Sequence, residues 1–264
     1  MTTGQTFKTA WRNRSLTHAS SFSDHVAASI MNEPFSKLRG VDQLPLFPLP
    51  IVLFPGAPLP LHIFEARYRK MLQDVRASNN IFGISYMEAD SGQSRPPVGH
   101  VGCVAEVVEV HPLPDGRSNI LTVGLIRYWI EEYIESNQPY LIARVRFFED
   151  EEEDAEALQR SAHEVTELFL RIARAVRILN DESARELTEL PETDPERLSF
   201  LIASAIDLEG SAKQELLELR STLERLERLR DMLAQAVRNY EERARIHSVA
   251  KRNGHGGKQL DYEE

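Results

Sequence analysis

The feature that most constrains this fold is a change of hydrophobic period at six consecutive acidic residues, 149–154. Before this run, short segments rich in Val and Ile alternate with turns, which is typical of β-strands. After it, apolar residues recur every three or four positions, which is typical of amphipathic helices. Adjacent carboxylates repel one another, so we expect the run to be solvated and to separate a β-rich domain, residues 41–150, from a helical subdomain, residues 151–247. The sequence therefore predicts an α+β fold.

The β-rich half is predicted to hold five or so strands and one short helix. Segment 44–56 is apolar but interrupted by prolines, so it can pair only along edges or between turns. Further strands are predicted at 81–87, 101–110, 120–130 and 140–148. Pro112–Gly116 predicts the turn of a hairpin. The helix is predicted from one apolar face, made by Phe64, Tyr68, Met71, Leu72 and Val75. Such a set of strands suggests a closed or partly closed barrel.

The helical half shows start signals and one long stripe. Asp194 followed by Pro195 predicts a capped helix start, and two pairs fit the capping-box spacing: Ser211 with Gln214, and Ser221 with Glu224. A first helix has an apolar face formed by Leu158, Val165, Phe169, Ile172, Val176 and Leu179. The final helix is predicted to run to about His247, with a heptad-like stripe of Leu226, Leu229, Leu233, Ala236 and Tyr240. This stripe can pack on the chain's own helices or form a homodimer through residues 222–247.

The two ends differ from the rest. Residues 1–40 and 248–264 are predicted to be disordered tails. The first thirty residues hold ten Ser or Thr, three basic residues and one acid. They could be an organelle transit peptide, a disordered tail, or a stretch before a true start at Met31. Without a transit peptide, we expect a cytoplasmic protein.

Composition and motifs exclude several functions. The net charge is −10, and phosphate backbones are bound largely by Lys and Arg, so nucleic acid is not an expected partner. No apolar run approaches the ~18 residues of a membrane span, so no membrane is expected either. His100, Cys103 and His111 suggest zinc but lack a fourth ligand, and apolar neighbours predict that Cys103 is an inert buried thiol. The only near match to a P-loop, residues 254–259, lacks its spacing and hydroxyl. We therefore expect no catalytic, cofactor or metal site, and no enzyme activity.

An ordered series of short motifs carries a family resemblance. They are Leu44-Pro45-Leu46-Phe47-Pro48-Leu49, Phe54-Pro55-Gly56, Pro60-Leu61 before a helix at 64–75, Val98–Glu106, Leu113–Gly116, the Gly-x-x-Arg of Val123–Arg127, Asp194–Leu198 and Lys213–Glu218. In this order, over residues 44 to about 235, the sequence resembles the N-terminal substrate-binding domain of Lon proteases.

The resemblance implies a PUA-like pseudo-barrel followed by helices. A full Lon protease continues into an ATPase and a Ser–Lys peptidase domain, and this sequence ends before either, so it is similar to stand-alone Lon-domain proteins. The implied function is a non-catalytic module that binds unfolded or client polypeptides, with an ATP-dependent protease as a further partner. The four-cysteine zinc site of cereblon-like relatives is excluded by the single cysteine. The alternatives are a structural, oligomerising or chaperone-like protein, and an RNA-related PUA-like protein.

The candidate peptide-binding residues lie in the apolar segment 53–68. They are Phe54, Leu61, His62, Phe64, Arg67 and Tyr68. Alternatively, the apolar members of this set belong to the core, while His62, Glu65 and Arg67 form a polar anchor between helix and barrel. In that case Arg67→Ala would destabilise the fold.

Overall fold

A computed structural model describes residues 38–88, 92–180 and 193–254, with side chains to residue 250. The chain divides into two compact units, Met1–Val41 and Asp42–Glu264. Of the first unit only residues 38–41 are described, and there the Val41 N–H donates to the Leu38 carbonyl. The transit-peptide and Met31 predictions, and the last residues of the predicted C-terminal tail, lie outside the described residues.

Six strands in the second unit form one sheet that closes on itself. They are β1 Gln43–Leu49, β2 Pro58–Ile63, β3 Ile81–Tyr86, β4 Val101–Pro112, β5 Ser118–Tyr133 and β6 Leu141–Phe148. Their order is β2-β5-β4-β3-β1-β6, and a further pairing of β5 with β6 closes the ring. Only β1 and β3 run parallel; the other pairs are antiparallel. The predicted pseudo-barrel is confirmed.

The prolines of β1 explain how an interrupted segment can join a closed sheet. Pro45 lies in the half of β1 that pairs with β6, and Pro48 lies in the half that pairs with β3. Each proline therefore sits where the strand has one neighbour, which is the arrangement that a residue without a backbone N–H tolerates.

The described residues also form five helices. They are α1 Ala66–Arg76, α2 Ala155–Leu179, α3 Pro195–Ala205, α4 Gly210–Glu218 and α5 Thr222–Gly254. α1 buries Tyr68, Met71, Leu72 and Val75 as predicted. Phe64 was expected on the same face, but it precedes the helix and is exposed. No described helix is long and apolar enough to cross a bilayer.

The predicted helix starts were partly right. The Asp194 carboxylate caps α3 by accepting from the Arg197 N–H at 2.9 Å, and Ser221 Oγ accepts from the Glu224 N–H at 2.9 Å at the start of α5. The box at Ser211 was wrong: α4 begins at Gly210, and Gln214 turns inward to donate to the Val101 carbonyl at 2.9 Å. α5 also continues to Gly254, past the predicted end near His247.

The stripe on α5 packs inside the chain. Its leucines 226, 229 and 233 are buried, and α5 packs along α2. Two ion pairs join the helices: Glu164 of α2 pairs with Arg230 of α5, and Arg171 pairs with Glu241. Because the later residue of α2 pairs with the later residue of α5, the two helices run parallel. Of the two alternatives for the stripe, packing on the chain's own helices is therefore confirmed for these leucines. Homodimerisation stays a prediction.

The acidic run is not uniformly solvated, which corrects the prediction for two of its members. Asp150 has a side chain only 4% exposed, between Arg127 and Arg225. Glu153 accepts from Ser221 Oγ at 2.6 Å and from the Leu223 N–H at 2.9 Å. The division into domains at residue 150 stays a prediction, since the contacts place strands and helices in one compact unit.

Candidate functional site

Five of the six candidate residues lie on β2, on α1 or in the two-residue link between these elements. β2 pairs with the first half of β5, in the register Pro58↔Val123 to Ile63↔Ser118. Side chains alternate across a strand, so Leu59, Leu61 and Ile63 turn toward the core, while Pro58, Pro60 and His62 turn outward. This strand was not predicted from the sequence, because two prolines in six residues argue against a strand.

Four residues form a surface here, which we call the Phe64 corner: the exposed Phe64 and Arg67, and the half-buried His62 and Glu65. Phe64 is 58% exposed, and its ring stacks on the His62 imidazole with 6.0 Å between centroids. His62 Nδ1 lies 2.7 Å from Asn119 Oδ1 on β5. A large aromatic side chain thus lies in solvent against a histidine that is hydrogen-bonded to β5.

Two other candidate residues are buried instead. Phe54 packs 6.1 Å from the Phe200 ring, and Tyr68 packs 3.9 Å from the Phe47 ring. Burial raises the pKa of the Tyr68 phenol. The core alternative is therefore confirmed for Phe54 and Tyr68, and it is wrong for Phe64. Leu61 is half-buried against the core.

The expected polar anchor is only partly present. His62 connects β2 to β5, but Arg67 Nε donates to Glu65 Oε2 at 2.8 Å within one exposed segment. The Arg67 guanidinium also lies 4.5 Å from the centre of the Tyr68 ring. Exposed ion pairs contribute about 0–1 kcal/mol, so the expectation that Arg67→Ala destabilises the fold is not supported by these contacts.

The side chains whose spacing suggested a zinc site do not converge. Cys103 is buried within β4, and burial raises the pKa of its thiol far above the usual range. His111 is exposed at the other end of β4 and lies 3.3 Å from Glu109. Within the described ranges, no group of three or more His, Cys, Asp or Glu side chains is placed to hold a metal ion.

A buried charge cluster that the sequence analysis missed joins the barrel to the helices. The guanidinium groups of Arg127 on β5 and Arg225 on α5 both donate to the Asp150 carboxylate. Arg127 also donates to the Leu217 carbonyl at 3.1 Å, and Arg225 donates to Ser199 Oγ at 2.7 Å. The cluster therefore positions α3, α4 and α5 against the barrel.

Glu196 completes this cluster at the first turn of α3. Burial and the nearby Asp150 carboxylate raise the pKa of Glu196 to about 7, although Arg225 and Arg127 act in the opposite direction. The Gly-x-x-Arg motif signalled Arg127 in the sequence, but no local pattern connects Arg127 with Asp150 and Arg225.

The closed barrel and the helices packed on it place the chain among PUA-like pseudo-barrel proteins with a helical extension. A family model described as the ATP-dependent protease La (LON) substrate-binding domain matches residues 43–235. Because this match covers most of the sequence, the chain belongs to that family.

Relatives and solved structures agree with this assignment. The Lon protease of Trichlorobacter lovleyi is 30% identical over 222 residues, which cover 81% of this chain and 26% of the relative. That of Flavobacterium johnsoniae is 30% identical over 198 residues, covering 72% of this chain and 24% of the relative. The chain thus spans about a quarter of the length of these relatives.

Two solved structures share the fold. The N-terminal domain of the Mycobacterium avium complex Lon protease matches with a TM-score of 0.55 at 21% identity, covering 73% of this chain and 98% of that one. The Lon N-terminal domain protein from Xanthomonas campestris matches with a TM-score of 0.51 at 21% identity, covering 72% and 97%.

Proposed function

We propose that this chain is a non-catalytic module that binds unfolded or client polypeptide segments through the Phe64 corner. The observation that carries the proposal is the exposed Phe64 ring, held on His62 beside Arg67. Burying one large apolar side chain contributes about 1.5–3 kcal/mol, and aromatic and Arg side chains are enriched at protein interfaces. The family description, a substrate-binding domain, supports a polypeptide as the ligand.

The strand beside the corner favours contacts through side chains. β2 lies at the end of the strand order and contains Pro58 and Pro60, which have no N–H to donate. Prolines on an edge strand oppose the pairing of a further strand. A bound segment would therefore be held by the Phe64 ring and by hydrogen bonds to Glu65 and Arg67, rather than by extending the sheet.

The partner protein and the cellular location of this chain are further proposals. We propose that the clients are shared with an ATP-dependent protease, since the relatives of this chain are Lon proteases. A cytoplasmic location belongs to the same proposal. The module itself is proposed to leave its clients intact.

A binding assay on the full chain tests the proposal. The probe is a fluorescently labelled polypeptide kept unfolded by reduction and carboxymethylation, and anisotropy gives its Kd. Phe64→Ala should raise the Kd about fivefold or more, because truncating a central interface side chain costs at least about 1 kcal/mol.

Val98→Ala is the matched control. Val98 is also exposed, but it lies beside the start of β4, where the Gly99 N–H bonds the Ile130 carbonyl, at the opposite end of the β4–β5 hairpin. This variant should bind like the wild type. Equal losses in both variants, or no saturable binding by the wild type, would refute the Phe64 corner as the site. Cleavage of the probe by the pure chain, with or without ATP, would refute the non-catalytic part.

A further inference from the structure

A cleft lies between the C-terminal parts of α2 and α5, and none of the Phe64 corner residues lines it. It encloses about 350 Å³ between the two helices. Its base includes the buried side chains of Ala175 and Ala244. Three arginines, 171, 174 and 245, line it together with a single acid, Glu241.

The charge of this cleft is opposite to that of the chain. Arg171 forms a two-point pair with Glu241 at 2.9 Å for each contact, and Arg245 pairs with Glu242 outside the lining at 2.8 Å. Arg174 is exposed, and no described residue forms an ion pair with it. With Arg171 and Arg245 each paired to a carboxylate, the unpaired Arg174 leaves the cleft positive in a chain whose net charge is −10.

One large apolar side chain is exposed at the same place. Ile178 lines the cleft and is one of the six large apolar side chains that are exposed in the described chain. Ile246 and Val249 are also exposed on α5, but they lie on other faces of that helix, because adjacent helix positions do not share a face. Ile178 and the two buried alanines therefore form the apolar part of the cleft.

We propose that this cleft binds an acidic amphipathic segment of a second polypeptide. A groove between two helices, with an apolar base and charged rim, fits the apolar face of a third helix. Acidic residues beside that face would meet Arg174 and Arg171, and an apolar residue would cover Ile178. Glu241 and Glu242 next to the arginines disfavour a phosphate backbone, which repels carboxylates along its whole length. This site is separate from the Phe64 corner and does not depend on it.

Fluorescence anisotropy with designed probes tests the proposal on the full chain. The probe is a labelled helical peptide of about fifteen residues with Leu along one face and Glu beside it. A second peptide has Lys in place of each Glu, and a third has Ser in place of each Leu. The wild type should bind the first peptide best, and raising the salt concentration should weaken that binding, because salt screens exposed charges.

Two variants with matched controls locate the site. Arg174→Glu should weaken binding of the acidic peptide about tenfold or more, the direction expected when opposed charges become like charges. Arg160→Glu makes the same charge change on an exposed residue near the start of α2 and should stay within about twofold of the wild type. Ile178→Ser should weaken binding, while Ile51→Ser, at another exposed isoleucine, should not.

Several results would overturn the proposal. They are equal effects of Arg174→Glu and Arg160→Glu, equal binding of the Glu and Lys peptides, and no saturable binding of the Glu peptide. Tighter binding of a labelled single-stranded oligonucleotide would point to a nucleic-acid surface instead. If Arg174→Glu changes the sedimentation of the chain without peptide but does not change peptide binding, the cleft is an interface between copies of the chain. Phe64→Ala should leave the Glu peptide bound, so failure here and failure of the proposed function are distinguishable.

Discussion

Removing the Asp150 carboxylate should destabilise the whole chain, although it lies in a run of acids that resembles a solvated linker. This carboxylate is the shared acceptor of Arg127 and Arg225, which are 1% and 0% exposed, and it also accepts from Thr222 Oγ1. In Asp150→Ala both guanidinium groups stay buried and lose this partner. Breaking a buried ion pair from one side costs about 3–5 kcal/mol, because an uncompensated charge remains in the interior.

Where the loss of unfolding free energy falls within this range depends on Glu196. Asp150 is one cause of the raised pKa of Glu196, so its removal lowers that pKa and favours the ionised carboxylate beside the two arginines. This partial compensation places the expected loss at the lower end, about 3 kcal/mol. Domains of ordinary stability, about 5–15 kcal/mol, survive such a loss as folded but weakened proteins.

Urea unfolding followed by circular dichroism measures the change at pH 7. Glu152→Ala is the control, since it removes a carboxylate from the same run at an exposed position and should shift the free energy of unfolding by no more than about 0.5 kcal/mol. If Asp150→Ala and Glu152→Ala lose equally little, Asp150 does not hold the two arginines in solution, and the reasoning fails.

Three further predictions concern single groups. Because the folded pKa of Glu196 is raised to about 7, the folded chain binds this proton more tightly than the unfolded chain, so its contribution to stability falls as pH rises from about 4.5 to 7. Partial solvation limits that fall to about 1–2 kcal/mol. Urea unfolding midpoints measured at pH 5 and pH 7.5 should show the fall as a difference between the wild type and Glu196→Gln. Parallel pH profiles of the two proteins would contradict it. Gly124→Ala places a methyl group 2.1 Å from the Phe54 carbonyl oxygen, so we expect a loss of about 1–3 kcal/mol, and an unchanged Tm would contradict it. Cys103 is fully buried with a raised pKa, so a thiol reagent at pH 8 should label it only after unfolding; rapid labelling of the native chain would contradict its burial.

The barrel was largely predictable, because its main strands follow rules that act locally. The Val- and Ile-rich segments that became β3, β4 and β5, and the hairpin turn with Gly116 at φ 80°, each carry their own signal. β2 was missed because Pro58 and Pro60 argue against a strand. Its place is set by pairing with β5, a partner far away in the sequence.

The candidate site was less predictable, since burial depends on tertiary partners. Phe54, Phe64 and Tyr68 are similar in type and lie close in sequence, yet only Phe64 remains in solvent. The same applies to Asp150: its partners Arg127 and Arg225 lie 23 and 75 positions away. Composition shows that residues 149–154 are acidic, but no local pattern selects which of them is buried.

The Gly-x-x-Arg motif that helped to identify the family builds the fold rather than a binding surface. Gly124 lets the segment after Phe54 approach β5, where the Gly56 N–H donates to the Gly124 carbonyl at 2.9 Å and the Gly124 N–H donates to the Ala57 carbonyl at 3.0 Å. Arg127 extends to the carbonyls that end α4. A match in such a motif therefore argues for a shared architecture, because substitutions there leave clashes or unpaired buried charge. In the two binding sites that we propose, ligand choice would belong instead to the exposed side chains of Phe64 and Arg174, which can change while the barrel is kept.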